Sequence, residues 1–313
     1  MTKTIRANLL LLLTAMIWGS AFVAQDVAMD AMGPFTFNAV RMALAVLVLL
    51  PGIKLLDRIA QKRNPGREVQ TLRTMTKDQK RRLITGGIVC GTVMAAGVSL
   101  QQYGLLYTSA GKAGFVTALY IVLVPLTGIF FKHRVRLFVW GAVALCTMGL
   151  FLLCVTENLT IGLGDLLVLI SAFCFTAHIL AVAHYSPQMD GVRLSCAQFI
   201  VADVIFILLT LFFEQPRLGD ILAGWAPIVY AGVFSCGVAY TLQIIAQRDT
   251  APAVASLLMS LESVFAVLAQ WAILGDLLSP RELLGCLLMF GGIVIAQLPQ
   301  RKVKAIPIKE TAA

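Results

Sequence analysis

The feature that most constrains this chain is its series of apolar stretches, each close to the length of a membrane-spanning helix and separated by polar connections. An α-helix rises about 1.5 Å per residue, so roughly 20 apolar residues cross the hydrocarbon core of a bilayer. Hydropathy predicts ten such spans. Their approximate limits are 7–28, 35–54, 83–106, 112–131, 137–155, 164–184, 195–213, 225–246, 252–274 and 281–299. The sequence therefore predicts an all-α integral membrane protein.

Composition separates this chain from soluble domains. Hydrophobic residues make up 59% of the 313 residues and charged residues only 13%, whereas soluble domains are about one quarter charged. The seven cysteines lie in or beside the spans without a CxxC pair, so we expect no metal, cofactor or disulfide framework. A net charge of +9 is also typical of nucleic-acid-binding proteins, but here the basic residues lie between the spans. They indicate membrane topology rather than a nucleic acid partner.

The basic residues predict the orientation of the chain. With the N-terminus placed inside, 21 of the 25 Lys and Arg residues fall in inside segments and three in outside segments. This bias predicts that both termini and the basic loop 55–82 are cytoplasmic. The first span follows Lys3 and Arg6 as the apolar region of a signal peptide would, but it has no clear cleavage site, so we interpret it as a retained helix.

The order of features in the first five spans returns in the last five. Three correspondences carry this alignment: Gln101 with Gln243, Arg41 with Gln198, and Val124 with Glu262. Because five is an odd number of spans, the second unit has to be inserted with inverted topology. The predicted units are a first repeat at 1–156, a second repeat at 157–300 and a cytoplasmic tail at 301–313. Inverted repeats are a common architecture of secondary transporters, with the site near the midplane.

The ninth span contains a single acid in a run that is otherwise apolar or small. Glu262 lies near the predicted midplane, where a carboxylate costs at least ~2.5 kcal/mol. Its side chain is therefore expected to face protein or a watery cavity. Because desolvation disfavours the charged form, Glu262 is a candidate for proton coupling and for substrate binding. The alternative is a structural carboxyl group held by a neighbouring hydroxyl, such as that of Ser260, or by another helix.

Other polar groups within the spans are also candidates. Arg41 can hold a substrate carboxylate with two parallel hydrogen bonds, or it can pair with an acid such as Asp203 for structure. Trp18 and Gln25 share a face of the first span, which is typical of a cavity wall or of plain helix packing. His178 can carry a proton, or it can be an inert hydrogen-bonded side chain.

These arguments give two sets of candidate residues and no catalytic or metal-ligating residue. The predicted substrate-binding residues are Trp18, Gln25, Arg41, Gln101, Gln243 and Glu262. The predicted proton-coupling residues are Glu262, Asp203 and His178.

A series of short motifs runs in order through nearly the whole chain. They are WGSAFV at 18–23, Arg41, TSAGKAGFVTALYIVLVP at 108–125, YTLQ at 240–243, SLESVF at 260–265, LGD at 274–276 and the glycines of 285–292. In this order the motifs resemble those of EamA-type transporters in the drug/metabolite transporter superfamily. The resemblance implies ten transmembrane helices in two inverted five-helix repeats, in the inner or plasma membrane of a bacterium.

The same resemblance implies a secondary-active permease for a small metabolite. Amino acids or related compounds are the expected substrates, export is the expected direction, and protons are the candidate coupling ion. The four-helix multidrug relatives exchange protons through a glutamate in their first helix. No glutamate is present in the first span here, so that coupling scheme does not carry over.

Two other classes of protein were weighed against a transporter. An intramembrane enzyme needs a catalytic constellation, but the chain has only three His and lacks HExxH, GxSxG and a Gly-rich phosphate loop. A non-transporting sensor or scaffold usually has a soluble output domain, whereas the longest loop, 55–82, is short. The favoured hypothesis is a non-enzymatic carrier whose partners are a small-molecule substrate and the lipid bilayer.

The predicted topology can be tested in the basic loop. After the native cysteines are removed, Gln70→Cys is expected to resist an impermeant thiol reagent in intact cells, because the positive-inside bias places this loop in the cytoplasm. The same reagent should react with it after permeabilisation. Labelling in intact cells would overturn the assignment.

Overall fold

A computed structural model of the chain describes residues 2–29, 31–63, 71–108, 110–130, 137–154, 162–274 and 279–297. Over these ranges the regular elements are all helical, as the sequence predicts. The α-helices are α1 Lys3–Met29, α2 Pro34–Arg63, α3 Lys77–Gly104, α4 Ala110–Ala118, α5 Tyr120–Phe130, α6 Leu137–Cys154, α7 Leu163–Tyr185, α8 Gly191–Phe213, α9 Leu218–Ala223, α10 Trp225–Val229, α11 Thr241–Gln247, α12 Pro252–Met259, α13 Glu262–Leu274 and α14 Pro280–Gln297. A π-helix, Tyr230–Tyr240, joins α10 to α11, and a 3-10 turn, Ser186–Gln188, follows α7.

Length and composition identify the membrane-crossing elements. In the described ranges, eight helical stretches are long and apolar enough to cross a bilayer, and they coincide with predicted spans one to four and six to nine. The predicted spans 137–155 and 281–299 coincide with α6 and α14, which have 18 residues each. Many large apolar side chains are exposed on the outside of the bundle, as expected for a surface that contacts lipid.

Three predicted spans are not single regular α-helices. The fourth breaks at Leu119, between α4 and α5, and the ninth breaks at 260–261, between α12 and α13. The eighth contains the eleven-residue π-helix. Hydropathy does not reveal these irregularities, because the residues at the breaks are no more polar than those of a regular span.

Helices α2 and α8 lie antiparallel and are tied together at both ends. At one end, the Glu214 carboxylate accepts hydrogen bonds from the amides of Phe35 and Thr36 at 2.9 and 2.7 Å and from the Thr36 hydroxyl at 2.6 Å. A carboxylate is favourable there because the first amides of a helix lack helical partners. At the other end, Arg193 donates to both Asp57 oxygens at 2.7 Å. The two contacts are equivalent in position, because Thr36 and Arg193 are separated by the same number of residues as Asp57 and Glu214.

Two glycines allow close helix crossings beside this pair. A Cβ on Gly91 of α3 would lie 2.5 Å from the Gln198 carbonyl oxygen, and a Cβ on Gly232 of the π-helix would lie 2.9 Å from the Arg41 carbonyl oxygen. Small residues at such crossings let two backbones approach each other. Arg41 and Gln198, which the sequence alignment places opposite each other, therefore lie at the same type of crossing in the two halves.

The two crossings predict the effect of adding a methyl group. Gly91→Ala and Gly232→Ala are each expected to destabilise the protein by about 1–3 kcal/mol, because the methyl group overlaps a backbone carbonyl. Gly141→Ala in α6 is the matched control, since no atom lies within 4 Å of a Cβ there. The control should be neutral or stabilising by about 0.5–1 kcal/mol. Thermal unfolding of the purified variants measures the difference, and equal melting temperatures for all three would contradict the packing.

Candidate functional site

A cavity lies within the helix bundle and is lined by both halves of the chain. The space between its lining atoms amounts to about 640 Å³, a volume that includes the open space at its mouth. Its walls come from α1, α2, α3, α4, α5, α7, the π-helix, α11, α12 and α13. Both helix breaks and the π-helix border this space, so the irregular backbone of the bundle is concentrated around the cavity.

The structure brings the six predicted substrate-binding residues into this one cavity. They are Trp18, Gln25, Arg41, Gln101, Gln243 and Glu262. The predicted proton-coupling residue His178 also lines it. Asp203 does not: it is half-buried on α8, and its Oδ1 atom has no hydrogen-bond partner. Arg41 and Asp203 form no ion pair among the described residues, so the predicted alternative of an Arg41–Asp203 pair is wrong.

Arg41 is a buried cation that keeps donors for a ligand. Only 5% of the residue is exposed, and its guanidinium lies 5.0 Å from the centre of the Phe37 ring. The Nη1 atom donates to Gln25 Oε1 at 3.1 Å, whereas the Nε atom has no partner. A buried charge of this kind is costly without an anionic partner, so an anionic group in the cavity would be held favourably.

Glu262 is the first residue of α13 and is held from the opposite half of the chain. Its Oε1 atom accepts a hydrogen bond from the hydroxyl of Tyr120 at 3.0 Å, and both residues are buried. Tyr120 is the first residue of α5, so this bond joins the two helix breaks. The Ser260 hydroxyl instead donates to the Leu257 carbonyl at 2.8 Å. The sequence left two structural partners open for Glu262, a neighbouring hydroxyl or another helix. The structure contains the bond to another helix.

Tyr120 is a cavity residue that the sequence alignment does not single out. The alignment sets Val124 opposite Glu262, but the positions of the breaks set Tyr120 opposite Glu262. A signal was present in the stretches TALYIVL and SLESVF, in which Tyr120 and Glu262 each come directly after a leucine. Gly19 supports this part of the site, since a Cβ there would lie 2.5 Å from the Glu262 carbonyl oxygen.

The remaining polar groups of the cavity are bonded in pairs or lack partners. Gln101 donates to the Thr117 hydroxyl at 3.0 Å, and His178 Nε2 lies 3.1 Å from Gln198 Oε1. The Oε1 atom of Gln243 has no partner. These amide and imidazole groups can act as donors or acceptors, so the wall can bind a polar ligand in several orientations.

Helix α1 packs its polar face against the π-helix. Thr14 donates to the Ala239 carbonyl at 3.2 Å, and the indole of Trp18 donates to the Ser235 carbonyl at 3.4 Å. The Trp18 and Tyr240 rings are 4.7 Å apart, which forms an aromatic wall of the cavity. Trp18 is therefore fixed by a hydrogen bond and a ring contact rather than by packing alone.

The π-helix accommodates one extra residue in the second half. The stretch from Gly232 to Gln243 is one residue longer than the stretch from Gly91 to Gln101. Both glycines sit at helix crossings, and both glutamines reach the cavity. A π-helical turn absorbs an inserted residue within a helix, and such turns are frequent at functional sites. The wider turns thus keep Gln243 on the cavity side.

Comparisons with known proteins agree with this architecture. A model of the EamA-like transporter family matches residues 5–155 and 162–297. A protein of Archaeoglobus fulgidus described as an uncharacterized transporter is 32% identical over 306 residues, which cover 95% of this chain and 87% of that protein. A solved crystal structure superposes with a TM-score of 0.72 at 17% identity, over 93% of this chain and 96% of the other. This last likeness concerns the fold alone.

The bond between the two breaks can be measured with a double-mutant cycle of Tyr120→Phe, Glu262→Leu and the double variant, since leucine has no oxygen that could accept from the Tyr120 hydroxyl. Tyr120→Phe is expected to destabilise the protein by about 1–3 kcal/mol, because it leaves a buried carboxyl oxygen without its donor. In the Glu262→Leu background the same change should cost less, because no carboxyl oxygen is left without its donor, and the coupling energy should be at least about 0.5 kcal/mol in thermal or denaturant unfolding. Strictly additive effects would show that the two side chains do not interact.

Proposed function

The chain belongs to the EamA-like transporter family, and from this membership we propose that it is a secondary-active permease that moves a small metabolite by alternating access. One observation carries the proposal: the buried cation Arg41 and the buried acid Glu262 line the same cavity without pairing with each other. The family model and the name of the Archaeoglobus relative both indicate a membrane transporter rather than an enzyme. The substrate, the direction and the coupling below belong to the proposal.

The proposed architecture has ten transmembrane helices in two inverted repeats. The repeats are residues 1–156 and 157–300, and 301–313 form a tail. Three observations support this arrangement: the equivalent ties at the two ends of α2 and α8, the equivalent glycine crossings, and the mid-span breaks next to Tyr120 and Glu262. The antiparallel packing of α2 against α8 is what inverted units require, because corresponding spans then run in opposite directions.

The cavity suits a zwitterion, so amino acids or related compounds are the proposed substrates. The Arg41 guanidinium would hold a carboxylate, and Glu262 with the Tyr120 hydroxyl would hold an ammonium group. Trp18 and Tyr240 offer an aromatic wall to an apolar side chain. Gln101, Gln243 and Gln25 add amide groups that can bond to either end of the substrate.

Export coupled to protons is the proposed mode of transport, across a bacterial inner membrane with both termini in the cytoplasm. Glu262 would take up and release a proton as the cavity opens to one side and then to the other. Its place directly after a helix break supports this role, because a change at the break alters its surroundings. His178 is a second candidate on the cavity wall, and Asp203 is a weaker one because it lies outside the lining.

Uptake of radiolabelled amino acids into liposomes containing the purified protein tests the proposed function. Arg41→Lys keeps the charge but loses the planar pair of donors, so substrate affinity should fall by about tenfold, in line with one lost charge-assisted hydrogen bond of about 1.5 kcal/mol. Arg41→Ala should reduce it further. Normal transport by both variants at equal reconstitution would remove Arg41 from the substrate site.

The coupling role of Glu262 is tested by the pH dependence of the same uptake. Gln mimics the neutral acid in shape and hydrogen bonding but cannot exchange a proton. Glu262→Gln is therefore expected to fold and bind substrate, while uptake loses its dependence on pH and on an imposed proton gradient. An unchanged pH profile in this variant would sink the coupling hypothesis and leave Glu262 with a structural role.

A further inference from the structure

Three buried polar side chains on α2, α3 and α8 lie outside the cavity lining, and each has at least one polar atom without a partner. In Asn38 this is the amide oxygen, since its Nδ2 atom donates to the Pro34 carbonyl at 2.8 Å. Gln102 is fully buried, and neither its amide oxygen nor its amide nitrogen is bonded. Asn38 is fully buried with its Oδ1 atom unbonded, and the buried Thr210 has no partner for its hydroxyl. Each such group costs about 1–3 kcal/mol if it stays without a partner. Buried polar groups without protein partners call for a ligand or for water.

The three side chains lie on the faces by which their helices pack together. Each of the three side chains, those of Asn38, Gln102 and Thr210, is four residues away from a member of the same apolar cluster. Those cluster residues are Met42, Val98 and Phe206. Residues four apart share a helix face, so the polar side chains project into the continuation of this shared core.

Contacts between α2 and α8 place Asn38 and Thr210 at one level. Glu214, next to the end of α8, binds Thr36 in the first turn of α2, and the helices run antiparallel from there. Asn38 is two residues in from this contact and Thr210 is four, so they differ in depth by only about 3 Å, at about 1.5 Å per residue.

Contacts between α3 and α8 place Gln102 at the same level. These helices run parallel, since Gly87 meets Ala197 and Gly91 meets Val201. Eleven residues make about three full turns, so Gln102 lies on the same face as Gly91 and about 16 Å further along. Eleven residues further along α8 from Val201, the same distance of about 16 Å leads to the helical turn that contains Thr210.

A cluster of three aromatic rings, from Phe35, Tyr103 and Phe213, lies directly beyond this level. The ring of Phe35 at the start of α2 is 6.2 Å from that of Tyr103 on α3 and 6.0 Å from that of Phe213 on α8. The amide of Phe35 also binds Glu214. The ends of the three helices that carry the polar side chains therefore meet, which independently supports the convergence of these side chains below them.

We propose that Asn38, Gln102 and Thr210 form a hydrated polar site between the cavity and the aromatic cluster, and that the transported molecule passes through it. Arg41, with its unbonded Nε, follows Asn38 by one turn on α2 and connects this site to the cavity. The three side chains are uncharged, so they bind water and the neutral polar groups of a substrate. The role in permeation rests on the proposed transport function, whereas the hydration does not.

Thiol accessibility tests the hydration without any substrate. In protein whose native cysteines are replaced, Thr210→Cys should react with a water-soluble, negatively charged methanethiosulfonate at least about tenfold faster than Ala202→Cys, because only a hydrated thiol forms the reactive thiolate. Ala202 is the matched control, since it is fully buried on the same helix two turns deeper in the apolar cluster. Equal melting temperatures verify that both variants fold. Equally slow labelling of the two would overturn the proposal.

Apolar substitutions test the passage of the substrate. Gln102→Leu and Thr210→Val remove the unbonded polar atoms, so each should leave the melting temperature unchanged or raised. Each should also lower liposome uptake, by about tenfold, of the amino acid that the wild-type protein transports fastest, a loss of about 1.4 kcal/mol. Thr147→Val on α6 is the control, because its hydroxyl bonds only to Val143 of its own helix.

The outcomes separate this proposal from the general transport function. Full uptake by Gln102→Leu and Thr210→Val would overturn the passage through the site. Thr210→Val keeps the side-chain shape, so it still tests the passage if Gln102→Leu does not fold. A wild-type protein that transports no amino acid would contradict the proposed substrates, while the labelling of Thr210→Cys would still decide whether the site is hydrated.

Discussion

Backbone amides and carbonyls within a membrane need partners from the protein or from water, and this constraint decides where the fold can be irregular. The two mid-span breaks and one side of the π-helix border the cavity. Helix α1 supplies donors there: Thr14 bonds to the Ala239 carbonyl and Trp18 to the Ser235 carbonyl. The first helix thus has a structural role as well as a place in the candidate site, since its side chains bond to the backbone of the π-helix.

The two halves share their packing but differ in the side chains that face the cavity. The acids Asp57 and Glu214 tie the ends of α2 and α8, and Gly91 and Gly232 occupy equivalent crossings. At corresponding functional positions, however, one half carries a cation or a phenol where the other carries an amide or a carboxylate. The cavity is in this way electrostatically asymmetric, with Arg41 from the first half of the chain and Glu262 from the second. Such a cavity can orient a ligand whose two ends differ in charge.

Most of the cavity was predictable from single residues, and the reason is energetic. A polar group within hydrocarbon is costly unless it faces protein or water, so polarity in a span indicates the interior of the bundle. This rule places Trp18, Gln25, Arg41, Gln101, Gln243 and Glu262 around one space. It does not specify which interior surface a residue faces. Asp203 obeys the rule and still lies outside the cavity, and Asn38, Gln102 and Thr210 are buried between helices at another level.

The sequence by itself determined the helical, membrane-spanning character of the chain, its repeated order of features and its short set of polar candidates, because hydropathy and motif order are local properties that add along the chain. Only the tertiary structure decided that Tyr120 holds Glu262, that Arg41 bonds to Gln25 instead of Asp203, and that two spans break and a third widens into a π-helix. Each of these features depends on contacts between residues distant in sequence. The free energy of such a contact is set by the packing of whole helices, which no window of neighbouring residues contains.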